Sequence, residues 1–215
     1  MGLWDNVENI FPERGKQEQQ DVVEDIMISE NIRPKSVLAW NEEELYWPKF
    51  FSERLPFSKV YGFEFEGLSG EKGDLFLQFP SNNIPKKQEW EGCVDLDILL
   101  KKYKTNLFFP SNILDYGNWL DGKMMADTLA DNEVEWVLFI HDVLIKDSQL
   151  RPRSATGFRM FKRTLKERGY IMKEYLNPQN PYGGLQYYLA IAPKRVKDSI
   201  LEKMRLNSTM VPSFA

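Results

Sequence analysis

A chain of 215 residues with 42% hydrophobic and 28% charged residues is long enough for one α/β domain with a sizeable core and short for two. Its net charge of −4 and pI near 5.3 argue against a general nucleic-acid coat protein, which would be basic. One cysteine, Cys93, and one histidine, His141, exclude an intramolecular disulfide, a cysteine-rich zinc site and a histidine-rich metal site.

Taken in order, residues 1–16 read as an irregular N-terminal arm, 17–204 as one domain and 205–215 as a loose tail. Gln17 to Asn31 reads as a helix, with Val22, Val23, Ile26 and Met27 on one face. Pro34 ends it. Ser36 to Trp40 is a buried first strand, followed by three carboxylates, Glu42, Glu43 and Glu44. These acids read as the first turn of the next helix, where the helix dipole favours them. That helix runs to Leu55, with Pro48 in its first turn. Lys59 to Glu66 is the second strand and Asp74 to Phe79 the third, joined by a turn with Gly67, Gly70 and Gly73.

Pro80 to Glu91 reads as a polar loop, and Val94 to Tyr103 as a short helix with Leu96, Leu99 and Leu100 inward. Asp95 and Asp97 precede or open that helix and suit its cap. Asn106 to Phe109 is the fourth strand, closed by Pro110, and a helical segment with interruptions at Gly117 and Gly122 follows to about Asn132. Trp136 to Ile140, in the most apolar run of the chain, reads as a central strand overrunning into His141-Asp142. Ala155 to Arg168 is a helix stopped by Gly169. Ile171 to Leu176 and Leu185 to Ala192 form an antiparallel pair around a turn-rich stretch. Val196 to Met204 reads as a last helix. Five strand–helix alternations followed by a strand pair predict a mostly parallel sheet with helices on both faces.

The order and spacing of these segments resemble the class I S-adenosylmethionine-dependent methyltransferase family. Pro34-Lys35-Ser36-Val37-Leu38 is similar to its entry to the first strand, and Lys59-Val60-Tyr61-Gly62-Phe63-Glu64 to its second. Leu107-Phe108-Phe109-Pro110-Ser111-Asn112-Ile113-Leu114-Asp115-Tyr116 resembles its fourth strand and the helix start after it. Trp136-Val137-Leu138-Phe139-Ile140-His141-Asp142 resembles its fifth. The resemblance implies a Rossmann-like, mostly parallel seven-stranded sheet with a C-terminal antiparallel hairpin strand. It also implies an S-adenosylmethionine cofactor and a small-molecule or macromolecular methyl acceptor. The cofactor would meet Trp40, Asn41, Glu64, Phe109 and Asn112, with Glu64 on the ribose hydroxyls. Asp115, Tyr116 and Tyr182 would lie on the substrate side. The family's glycine-rich turn after the first strand is replaced here by Ala39, Trp40, Asn41 and the three glutamates.

His141 and Asp142 end a central strand, where a histidine serves as general base near neutral pH; a satisfied structural histidine is the plainer reading. Asn180-Pro181-Tyr182 is similar to the amide-proline-aromatic signature of amino-methylating enzymes, but it falls after the fifth strand and reads as a turn. Arg151, Arg153, Arg159, Lys162, Arg163, Lys166 and Arg168 crowd the basic segment 151–168, a surface for an anionic partner or the solvated face of a helix. The expectation is a divergent methyltransferase-like protein. A non-catalytic relative serving as a scaffold is the alternative, and a metal-dependent nuclease using Glu64 and Glu66 the third. No metal site is expected. Met1 to Asp5 lacks the pattern of a signal peptide. No apolar run reaches membrane-spanning length. The lone thiol fits a reducing compartment. The expected location is therefore cytoplasmic, without membrane attachment.

Overall fold

The computed structural model describes residues 12–40, 46–63, 75–78, 86–88, 96–111, 114, 119–142, 154–176 and 184–195. Among them, five helices and eight strands follow in this order: α1 (Pro12–Ser29), β1 (Ser36–Trp40), α2 (Tyr46–Arg54), β2 (Lys59–Phe63), β3 (Leu75–Gln78), β4 (Lys86–Gln88), α3 (Leu96–Tyr103), β5 (Leu107–Ser111), α4 (Trp119–Asp131), β6 (Trp136–Asp142), α5 (Ser154–Glu167), β7 (Ile171–Leu176) and β8 (Leu185–Ile191). α1 begins at Pro12, inside the expected arm, because proline suits the first helical position, where its missing N–H costs nothing. The expected last helix over 196–204 lies outside the described residues.

One sheet takes the order β4-β3-β2-β1-β5-β6-β8-β7. Its body is the six strands β2-β1-β5-β6-β8-β7. β2, β1, β5 and β6 are parallel, and β8 is inserted antiparallel between β6 and β7. Two corrections to the expected sheet follow. The described strands number eight rather than seven, because β4 forms within the stretch read as a polar loop. β3 also runs antiparallel to β2 and β4 antiparallel to β3, as in a meander rather than a crossover. All strands except β3 and β8 nevertheless point the same way.

The period-two alternation of each strand feeds two cores. On one face Val37, Ala39, Val60, Leu107, Phe109, Leu138 and Ile140 pack under Val23, Ile26 and Met27 of α1 and Trp47, Phe50 and Phe51 of α2. On the other, Leu38, Phe63, Phe108, Val137 and Phe139 pack under Leu99 and Leu100 of α3, Ala126 and Leu129 of α4, and Phe158, Phe161 and Leu165 of α5. The molecule is therefore a helix–sheet–helix sandwich. Trp47 closes the first core, with ring centroids 4.5 Å from Phe109 and 6.3 Å from Phe51. Such pairs add roughly 0.5–1.5 kcal/mol each beyond the area they bury.

Four helices end in the same way. Asn31, Lys104, Glu133 and Gly169 each take a left-handed φ, between 48° and 87°. The next residue's N–H then closes a ring onto the helix: Ile32 on Met27 O, Thr105 on Leu100 O, Val134 on Leu129 O and Tyr170 on Leu165 O. These are Schellman caps, in which the residue after the left-handed one normally packs an apolar side chain back on the helix. All four caps lie at the amino edge of the sheet, a few residues before β1, β5, β6 and β7 begin.

Candidate functional site

β1 lies in the middle of the sheet. The chain leaves it for β2 on one side and returns to β5 on the other. That reversal is a topological switch point, and ligands of open α/β sheets settle at the carboxyl ends of the strands there. Four residues mark this edge: Trp40 at the end of β1, Phe63 at the end of β2, Ser111 at the end of β5 and His141 near the end of β6.

Trp40 is half-buried on the α3–α5 face. Its indole meets Phe63 edge-on, with centroids 5.3 Å apart, and Phe63 in turn stacks on Phe108 at 5.3 Å. Behind them Tyr61 and Tyr103 lie ring to ring at 4.0 Å. Burial, and then the neighbouring Tyr61, push the Tyr103 hydroxyl up to about 12, so it stays protonated across the neutral range.

The end of β5 is irregular for a physical reason. Pro110 has no N–H to give to a central ladder. The strand answers with a bulge: Phe108 pairs with Val137, but Ser111 pairs with Phe139, so β5 holds one extra residue. Ser111 is buried there with φ 52°, a left-handed conformation rare for a side chain other than Gly, Asn or Asp. Sequence reasoning missed this residue. The one available signal was a proline inside an otherwise apolar central strand.

The structure separates several expected site residues. Phe109 is fully buried on the opposite face from Trp40, seated on Trp47 and on Phe51 at 5.1 Å. Its side chain is core, not cofactor wall, because alternation along β5 turns it towards α2. His141 is 4% exposed and lies flat on Phe158, with centroids 3.8 Å apart and planes 5° apart. It is packed beneath α5. Asp142 is the last rung of β6, opposite Leu185. Asn41, Glu64, Asn112, Asp115, Tyr116 and Tyr182 lie outside the described residues, as does Glu66.

Of the five described cations of the basic segment, Arg159, Lys162, Arg163, Lys166 and Arg168, three are paired locally. Arg163 pairs with Glu167 at 2.7 Å, Arg168 with Asp131 and Asp127, and Lys162 with Glu174 at 3.5 Å while it sits 4.1 Å over the Tyr188 ring. Two clefts open at the other, amino edge. One, of about 600 Å³, lies between the ends of α1 and α2. The other, of about 400 Å³, lies between the α3–β5 and α4–β6 connections. Neither adjoins the switch point.

The fit to an adenosyl cofactor is divided. Trp40 suits the aromatic half by type and place, a half-buried indole at a strand end beside Phe63. The amino-acid half wants bare backbone, and every residue from 39 to 44 carries a Cβ. No helix among the described residues is long and apolar enough to cross a membrane.

No protein-family model matches the chain, and no curated protein matches it. Among solved structures it is similar to an O-methyltransferase from Bacillus cereus, crystallised in complex with SAH. The two share 13% identity over 85% of this chain and 82% of that one, with a TM-score of 0.46.

Proposed function

We propose that this chain is a divergent methyltransferase-like domain that takes S-adenosylmethionine at the carboxyl edge between β1, β2 and β5. One observation carries the reading: the strand ending in Trp40 lies at the switch point, beside the end of β2 that leads into Glu64. The reversed β8 between β6 and β7 agrees with the hairpin strand that such a domain requires. Trp40 would stack on the adenine and Glu64 would accept the ribose hydroxyls.

When bound, the cofactor supplies an electrophilic methyl group. The chain's own task is placement, since in-line transfer from a sulfonium needs little proton transfer. The buried position of His141 is therefore no obstacle. The acceptor, small or macromolecular, would approach from the α4 side, where Asp115 and Tyr116 precede the helix. The lone thiol favours a cytoplasmic setting.

A second reading has its own observation. If Trp40, locked on Phe63, fills the cofactor's place, the domain is a non-catalytic binding module. Titration calorimetry with SAH separates the two. The first expects a single binding event, lost in Trp40→Ala and weakened about tenfold or more in Glu64→Ala, roughly 1.4 kcal/mol or above. No heat with either the cofactor or its product at millimolar concentration overturns the first reading and leaves the second.

A further inference from the structure

We infer that the cleft at the amino edge of β5 and β6 is a binding site for a small oxyanion, a phosphate ester or a carboxylate. It is distant from the switch point and independent of it.

The cleft, of about 400 Å³, is rimmed by Lys101, Lys104, Lys194 and Arg195 against Glu133 and Glu135. Four cations thus face two carboxylates in a chain whose net charge is −4. The pairs already present are loose. Lys194 stands 3.5 Å from Glu133, both exposed, and Arg195 4.0 Å from Glu135. Exposed pairs of this kind contribute little and are readily exchanged for another anion. Glu135 is also occupied by the Asn106 amide at 3.0 Å. Lys101 is held by Asp97 at 2.6 Å. Lys104 has no ion pair among the described residues. Arg195 is pre-positioned, its guanidinium carbon 5.2 Å from the centre of the Trp136 ring. The carbonyl ends of α3 and α4 also face this rim, and their caps already engage Leu100 O and Leu129 O.

The wall of the cleft supplies an independent observation. Thr105 occupies the cap position that the other three helices fill with Ile32, Val134 and Tyr170. The Tyr170 hydroxyl finds Val134 O at 2.8 Å. Thr105 is 6% exposed, and its hydroxyl has no hydrogen-bond partner among the described residues. A buried hydroxyl without a partner is costly, and nothing in the cap geometry asks for one. The residue lies in the lining of a cationic cleft, but its oxygen is shut off from the surface, so a seated oxyanion would accept its proton only after a small shift of that lining.

The test titrates inorganic phosphate, phenyl phosphate and benzoate separately into the whole chain by calorimetry. The expected result is one site for at least one of them, and the three arms tell a phosphate group from a carboxylate. Lys104→Gln and Arg195→Gln should each weaken binding about tenfold, ~1.4 kcal/mol. Thr105→Val should weaken it severalfold without lowering the Tm. Glu133→Gln, which removes a competing carboxylate, should tighten it. Lys104 is on the surface, so its variant keeps the test alive if Arg195→Gln fails to fold. Absence of binding by all three anions at millimolar concentration overturns the inference, as does binding that Lys104→Gln leaves unchanged. Trp40→Ala should leave it intact, so its failure is distinct from failure of the cofactor reading.

Discussion

At the scale of single residues, what a side chain does here follows from which face of its strand it occupies. His141 and Phe109 both looked chemical in the sequence, and both turn into a core. His141 is stacked flat on Phe158, so His141→Ala should cost about 2–3 kcal/mol through the cavity it leaves, whereas His141→Phe should retain most of that stability. Thermal or urea unfolding of the two variants checks this; equal losses would show that the stacking contributes nothing. Legibility was uneven at this scale. Strand identity was plain, because Val37, Leu38 and Ala39 form a buried run between a proline and a row of acids. The parity that sends Phe109 to α2 and Phe108 to α3 was hidden, because three apolar residues in succession carry no alternation to read. The left-handed Ser111 left only an indirect trace in Pro110, since apart from proline a residue's identity does not fix the sign of φ.

At the scale of elements, α4 and α5 come into backbone contact at a pair of glycines. A Cβ built on Gly122 would stand 2.1 Å from the carbonyl oxygen of Gly157, well inside contact distance. The obstacle is backbone, so it cannot swing aside as a side chain would. Gly122→Ala should therefore destabilise the fold by about 1–3 kcal/mol, seen as a lower denaturation midpoint. An unchanged midpoint would mean that the two helices part at little cost. Gly122 was noted in the sequence only as an interruption of a helical pattern; the reason for it lies in another helix and was not visible there. β4 escaped for the opposite reason: Lys86-Lys87-Gln88 is short, polar and at an edge, where a charged strand guards against unwanted pairing and shows no apolar pattern. The Ser36–Trp40, Ile171–Leu176 and Leu185–Ile191 strands, with clear breakers on either side, were read within a residue of their bounds.

At the scale of the whole molecule, the first helix is clasped to the edge strand formed near the other end of the chain. Glu30, just past α1, accepts a hydrogen bond from Tyr175 at 2.6 Å and pairs with Lys173, both on β7. Burial alone would raise the Glu30 carboxyl, but the bonds from Lys173 and Tyr175 outweigh it and hold the group below its ordinary value of 4.5. A carboxyl depressed in the folded state stabilises the fold when ionised. Its contribution is present above the unfolded value and is lost as pH falls through the folded one. Glu30→Gln should thus lower stability by about 1–2 kcal/mol near neutrality, and the gap to wild type should close as the pH drops below 4.5. A gap that persists undiminished in acid would assign the effect to packing rather than charge. The overall architecture was legible from the strand–helix alternation and the closing strand pair. The candidate site was legible only as a place, the end of the strand at Trp40, because the residues that would make it specific sit on connections whose sequence carries no period.

The four matching helix caps have a consequence for how such a protein can change. Each helix receives its stop signal from a six-residue ring closed within its own last turn, and all four rings stand on one rim. The connections on the far rim take no part in telling a helix where to end. They are free to be lengthened, shortened or exchanged by recombination while the scaffold keeps its shape. This division of labour lets one framework try many specificities in succession.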